Sequence, residues 1–520
     1  MTLEKNITLR DSAMMRWFAL VLVSALTFAT YWFQDFFGGI KDLLGSEYGF
    51  SNEQFGRIIS STNIANMFGM IVLGGIMLDR WGVRLAGLVF GGLAALGGLI
   101  VYLAGVNAFG EASDVKLWTI CLGRMLFGSG LEVVCVVVTR TIVKWFKGYE
   151  LALAMAVNVG FGRCGTAMGI AVSPDIVGAG SVSPAVGFAA SLLLLSLIMF
   201  VVYLFFDIRL DRQTARDIAE SDEERFKISD LAKLAGNRAF ICITLLCVAF
   251  YAAVFPFIQY APDLLVNKFG FTRQLPDEGI LAISGSQTLG TAAVYAGLFL
   301  FAICFSTIPP RLGSASKRFA GRLIMAGILA AAIFAMKDKL ALWLLDGAKT
   351  TSLIPLGTII FTPVFGNIVD KTGRAASLMI LGAGLLIFSH LALSVFNSVT
   401  LGYAGLLSLG VAFSLVPAAM WPSVTKIVPE NRLGTAYAAM FTFQNWGLGA
   451  FYWGIGAVLD WTNSDNLKAI EAGTTTYDYT VPILMLVVCG IVSVYLACKL
   501  LQADRKYGYG LEKPNENLSI

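Results

Sequence analysis

Glu132 lies in an apolar run behind Gly123, Arg124, Gly128 and Gly130, and Arg163 lies in the next run between Asn158 and Gly165. A carboxylate and a guanidinium in the middle of such runs are costly unless each faces water, a counter-ion or a ligand. Helical rise sets Glu132 about 12 Å deeper than Arg124. One ligand can use both charges: Glu132 suits an ammonium and Arg163 a carboxylate, so a small zwitterion matches the pair. A second reading is a permanent Glu132–Arg163 ion pair that only holds helices together. A third gives an organic anion to Arg163 and Arg124 and leaves Glu132 to tune them.

Other polar groups surround this pair in sequence. Arg124 is a candidate for coupling or gating, through a helix end or the acid's protonation. Asp35 closes the aromatic stretch Tyr31, Trp32, Phe33, which reads either as a cavity wall with an acid below it or as an interfacial aromatic belt. After residue 238 embedded charges nearly vanish. Phe255, Pro256, Gln259 and Tyr260 loosen one helix, Pro417 and Pro422 flank Trp421, and Gln444 with Asn445 sits beside Trp446. Tyr260, Gln444 and Asn445 are taken as candidate substrate contacts on the wall opposite Glu132, Arg163 and Asp35. One histidine, His390, and eight scattered cysteines give no metal-ligand spacing, so no metal is expected and the cysteines read as helix packing. No Gly-rich nucleotide loop ending in Lys-Ser or Lys-Thr occurs, which argues against direct ATP drive. No nucleophile, base and orienting group form a catalytic pattern, so no enzyme, catalytic residue or cofactor is expected; proton coupling through Glu132 remains a chemical option.

The elements that must carry these residues are membrane helices. Of 520 residues 57% are hydrophobic and 14% charged, against roughly a quarter charged in soluble domains. Lipid must therefore solvate much of the chain. The net charge of +4 comes from lysines and arginines in the loops and does not describe a nucleic-acid surface. Six runs of spanning length fall near 17–38, 55–78, 85–106, 117–141, 151–173 and 184–206, and a charged linker occupies 208–237. Eight more fall near 239–261, 281–306, 322–344, 352–369, 375–396, 400–424, 433–458 and 479–501.

A short signature ends two of these runs: Gly75, Asp79, Arg80, Gly82, Arg84, and again Gly366, Asp370, Lys371, Gly373, Arg374. Two copies mark two related halves, the trace of a two-bundle transporter. Small residues let helix ends approach, and the acid can latch a neighbouring helix end or an arginine. Asp79, Arg80, Arg84, Asp370, Lys371 and Arg374 are therefore assigned to coupling or gating, not to substrate. The second copy arrives two helices late, which exposes a hairpin inserted at 279–345. The expected organisation is an N-terminal six-helix bundle at 1–207, the linker at 208–237, a C-terminal six-helix bundle at 238–505 interrupted by the hairpin, and a tail at 506–520, with fourteen spans in all. Basic residues concentrate on the side of both termini, so the positive-inside rule places both termini in the cytoplasm.

The repeated signature resembles that of the major facilitator superfamily. Three blocks are similar to the branch containing the animal lysosomal dipeptide transporter. These run from Gly123 and Arg124 through Glu132 to Trp145–Gly148; from Val254 to Ile258 with Lys268–Phe271; and from Ala419–Pro422 through Val428–Glu430 and Leu433–Tyr437 to Gln444 and Asn445. The resemblance implies an all-α polytopic fold, alternating access between the bundles, and short-peptide transport without an ATPase. It also implies that Glu132 and Arg163 meet the two ends of a dipeptide and that Asp35 matches a first-helix acid. The insertion at 279–345 departs from the pattern, and lysosomal targeting and an accessory partner are not carried over. A bacterial inner membrane is the expected home. The expected partners are a small-molecule substrate, expected to be a dipeptide, and the bilayer. A different class, a non-transporting membrane scaffold or sensor using the hairpin as an interface, predicts no solute flux.

Overall fold

Inside lipid an apolar chain can satisfy its backbone N–H and C=O groups only within helices or a closed barrel. The long runs here lack the period-two alternation of barrel strands and form helices. The computed structural model describes residues 8–178, 180–214 and 228–514, so the centre of the expected linker and the last six residues of the expected tail lie outside the described residues. In chain order the main helices are α1 (Ala13–Gly39), α2 (Asn52–Ser61), α3 (Met70–Gly105), α4 (Ser113–Phe146), α5 (Leu151–Val177), α6 (Ser183–Thr214) and α7 (Arg238–Phe269). They continue with α8 (Gln287–Thr307), α9 (Ala315–Ala335), α10 (Gly347–Thr372), α11 (Ala375–Ser394), α12 (Val399–Ile427), α13 (Leu433–Thr462) and α14 (Thr480–Tyr507). No β-strand occurs among the described residues, only two isolated bridges.

Twelve of these helices are long and apolar enough to cross a membrane; α2 and α13 are the two outside that set. The expected single span at 55–78 is instead broken. α2 stops at Ser61, a short helix covers Ile64–Met67, Gly69 takes φ +86°, and α3 begins at Met70. The break has a local cause. Thr62, Asn63 and Asn66 carry polar groups that compete with the helical ladder; Asn66 Nδ2 donates to the carbonyl of Gly128 at 3.2 Å, and Thr62 Oγ1 accepts from Arg124 Nε at 3.0 Å. α3 in turn contains a second bend, because Gly82 has φ +71° and ψ 172°. That glycine belongs to the first signature copy. Its counterpart Gly373 has φ +66° between α10 and α11, so both copies turn the chain on a left-handed glycine.

Before the linker, α1 packs on α5 and α6, and α3 on α4 and α6; after it, α11 packs on α12 and α14, and α7 on α13 and α14. The two sets meet where α2 lies on α13, α5 on α10 and α1 on α7. The start of α1 and the end of α14 lie at one end of the described helices, here termed the near end. There Leu9 N donates to Gln213, and the segment after α14 folds back so that Leu511 O accepts from Ala375 N at 3.0 Å. α8 packs against both α5 and α10, whereas α9 has no buried residue.

Candidate functional site

A cavity of about 430 Å³ lies between the two sets of helices. α1 contributes Tyr31, Gln34 and Asp35, the broken segment Thr62, Asn63 and Asn66, α4 Glu132, and α5 Asn158 and Arg163. The opposite wall comes from Tyr251 and Phe255 on α7, Trp421 on α12, and Phe441, Gln444 and Tyr452 on α13. Glu132 and Arg163 are brought to the same cavity but not to each other. Neither has a hydrogen bond or ion pair among the described residues; the Arg163 guanidinium instead lies 4.4 Å from the ring centre of Phe413. The reading of a permanent Glu132–Arg163 pair is therefore not what the chain adopts.

The other sequence candidates separate by geometry. Asp35 is 3% exposed and lines the cavity, yet its oxygens are engaged: Thr166 Oγ1 and Gln259 Nε2 each donate to it at 2.6 Å. Because Gln259 is on α7, this acid ties the two sets of helices together. Arg124 is fully buried outside the lining. Besides its bond to Thr62 it donates to the carbonyls of Phe33 and Gln34 at 3.3 and 3.2 Å, fastening α4 to α1 and to the break. Gln444 lines the cavity and accepts from Cys247 Sγ at 3.4 Å. Asn445, one residue on, points away by the ~100° turn per residue of a helix and donates to Phe441 O at 2.9 Å. The Tyr260 hydroxyl also lies off the cavity and donates to Tyr452 O at 2.8 Å.

At the near end the first signature forms ion pairs confined to one set of helices. Asp79 meets Arg140 at 2.6 Å. Arg84 meets Asp207 at 2.7 Å and also Asp211, and Lys144 meets the same two acids at 2.7 and 2.6 Å. Arg80, Lys371 and Arg374 are exposed. The far end is built differently. Every ion pair among the described residues that joins the chain before the linker to the chain after it lies there: Lys41–Asp263 at 2.6 Å, Arg273–Asp42 at 2.6 Å and Lys349–Asp175 at 2.9 Å. Tyr479 also donates to Asp263. Asp460 accepts from Asn52 Nδ2 and from the backbone N–H of Glu53 at 2.7 Å each, capping the start of α2 with a carboxylate. Burial and the neighbouring Asp263 hold the Asp42 carboxyl above the usual range despite Arg273 and Lys41. The inserted segment joins this latch, since Thr291 Oγ1 and Gln287 Nε2 of α8 donate to Asp175 at 2.6 and 3.0 Å.

The sequence reading missed the polar floor made by Thr62, Asn63, Asn66 and Asn158, and the latch. The run from Ser60 to Asn66 was the available signal for the floor. Asn158 was not legible from spacing, since five residues before Arg163 is about 140° around a helix.

A two-sided helical arrangement around a central cavity, with a repeated glycine turn, is matched by known families. The model of the Major Facilitator Superfamily matches residues 21–348, and that of the MFS_1 like family matches residues 347–517. The chain belongs to the Major Facilitator Superfamily. As a member of that superfamily it is a multi-pass membrane transporter. Its similarity to the lysosomal dipeptide transporter MFSD1 of Danio rerio is 27% identity, covering 85% of this chain and 80% of the relative. The protein of the same name from Homo sapiens is 24% identical over 86% of this chain and 80% of the relative. Among solved structures, the nucleoside transporter NupG aligns with a TM-score of 0.59 at 13% identity, covering 93% of this chain and 99% of that one. A D-xylose-proton symporter aligns with a TM-score of 0.58 at 14% identity, covering 94% and 97%. These superfamily structures share the fold, and at such identities they carry nothing about substrate.

Proposed function

We propose that this transporter moves dipeptides or similar small zwitterions. The observation that carries the reading is the unpaired state of Glu132 and Arg163 in one cavity. Both side chains are half-buried, and a charge partly withdrawn from water without an internal partner favours a ligand that supplies one. A zwitterion supplies both partners at once, the ammonium to Glu132 and the carboxylate to Arg163, through charge-assisted hydrogen bonds. The dipeptide for which the animal relatives are named is consistent with that chemistry. Gln444 on the facing wall offers an amide to the peptide group.

In this reading the far-end ion pairs hold one state of an alternating-access cycle, and their exchange for near-end contacts gives the other. Fourteen segments cross the bilayer, with α2 and the start of α3 counted as one broken span, the rest of α3 as the next, and α13 as another. Both termini face the cytoplasm of a bacterial inner membrane. An organic-anion substrate would use Arg163 and leave Glu132 idle, and the free carboxylate in the cavity favours the zwitterion.

Reconstitution into proteoliposomes with a dipeptide library tests this. Wild-type protein is expected to accumulate free dipeptides, and Glu132→Gln and Arg163→Ala to lose the activity while eluting as folded protein. Unchanged dipeptide flux in both variants overturns the assignment. An imposed proton gradient that accelerates uptake in wild type assigns proton coupling to transport, and uptake indifferent to the gradient excludes it.

A further inference from the structure

The wall opposite Glu132 and Arg163 is aromatic and ordered. The rings of Trp421 and Phe441 lie nearly parallel, with centres 5.0 Å apart and planes at 27°. Tyr251 stacks on Phe255 at 5.4 Å and 15°. Trp421 Nε1 donates to the Tyr251 hydroxyl at 3.0 Å, which joins the two stacks into one shelf from α7, α12 and α13. All four side chains line the cavity.

The shelf is continuous with the cationic end of the site. Arg163 sits 4.4 Å over Phe413, and Phe413 meets Phe255 edge-on at 5.3 Å. Away from the shelf the lining includes the polar side chains of Gln34, Asn63 and Asn66. A zwitterion that places its carboxylate on Arg163 therefore puts the side chain next to that carboxylate against rings.

We propose that this shelf is the subsite for the carboxyl-terminal side chain of the bound dipeptide, and that it selects large apolar or aromatic side chains at that position. The inference rests on the Glu132–Arg163 reading. Five physical terms support it. Burying an aromatic ring removes much apolar surface from water, and an offset or edge contact with another ring adds about 0.5–1.5 kcal/mol. The shelf is already stacked and hydrogen-bonded, so little ordering cost accompanies binding. Arg163 beside the shelf repels a cationic side chain that the ring faces would otherwise attract, and an acidic one would leave water for an apolar wall. If the shelf were only packing between helices, its loss would weaken every substrate alike.

The test is competition for uptake of radiolabelled alanyl-alanine into proteoliposomes. Alanyl-phenylalanine is expected to compete at a concentration at least about fivefold lower than alanyl-glycine. Phenylalanyl-alanine, with the ring at the other end, is expected to show less than half of that gain, and alanyl-lysine none. Trp421→Leu and Phe441→Leu are expected to narrow the alanyl-phenylalanine to alanyl-glycine gap to within about twofold. Equal competition by all four peptides, a preference for phenylalanyl-alanine, or variants that weaken all four in the same proportion would each overturn the subsite. If a variant fails to fold, the order of the four peptides on wild type decides alone. Competition blind to side chain defeats this inference only, whereas no competition by any dipeptide defeats the underlying reading as well.

Discussion

Two regions of this protein place the same kinds of charge between helices and treat them in opposite ways, fully buried at the far end and half-buried in the cavity. At the far end Lys41 meets Asp263, and Lys349 meets Asp175 with Asp346 at 3.8 Å. All five of these side chains are at least nine-tenths buried. In the cavity Glu132 and Arg163 have no such partner. Removing a charge from water costs several kcal/mol per ion in a real protein, and a close partner offsets it. The far end is thus satisfied by the protein itself and can hold two halves together. In the proposed function the cavity is left to be satisfied by a substrate that comes and goes, and that difference, rather than the presence of charge, separates a latch from a binding site.

The contrast predicts different kinds of failure. The largest effect belongs to the latch. Lys349→Met leaves Asp175 and Asp346 buried together without their cation, and a stability loss of about 3–5 kcal/mol is expected, read as a lower unfolding midpoint in detergent. An unchanged midpoint would place those acids in water and dissolve the comparison. The next effect is on transport alone. Glu132→Gln and Arg163→Gln are expected to cut dipeptide uptake about 100-fold, from the loss of charge-assisted hydrogen bonds of about 1.5–3 kcal/mol each. Their unfolding midpoint should not fall, because no partner is stranded; a fall comparable to that of Lys349→Met would return the pair to a structural role.

Part of this contrast was legible in the sequence. Hydropathy located the helices, because an apolar run of spanning length has few alternatives in lipid. Gly82 and Gly373, one glycine of each signature, stand where the backbone turns with positive φ. Glu132 and Arg163 stood out because charge is rare in such runs. Their separation was not legible. Two residues 31 positions apart on neighbouring helices can face each other or share a cavity wall, and helix rotation decides which. The same applies to Arg140 and Asp79, whose contact at 2.6 Å depends on how two neighbouring helices are rotated. Thr62, Asn63 and Asn66 break a span whose overall hydropathy still resembles one helix. The latch and the aromatic shelf join segments up to about 400 residues apart, such as Asp460 with Asn52 and Glu53, and no local pattern records such pairing.

Smaller effects sharpen the same line. If Lys41 and Asp263 satisfy each other, Lys41→Met and Asp263→Leu together should cost less than the sum of the two single changes, by about 1–3 kcal/mol in a double-mutant cycle. Additive losses would show that each is held by other groups. The smallest effect belongs to the near-end pair. Asp79 and Arg140 are 32% and 43% exposed, so Asp79→Asn should change stability by less than about 1 kcal/mol. Its signature role should appear instead in the rate of transport.

The central claim is that Glu132 and Arg163 hold opposite ends of one zwitterion. Uptake in proteoliposomes of a free dipeptide, its N-acetyl form and its C-terminal amide, in wild type, Glu132→Gln and Arg163→Gln, tests it most directly. Both blocking groups should cost wild type at least about tenfold. Acetylation should cost Glu132→Gln little more than it has already lost, while amidation still weakens it, and Arg163→Gln should show the reverse. Equal sensitivity of both variants to both blocks, or a wild type that ignores them, would contradict the account.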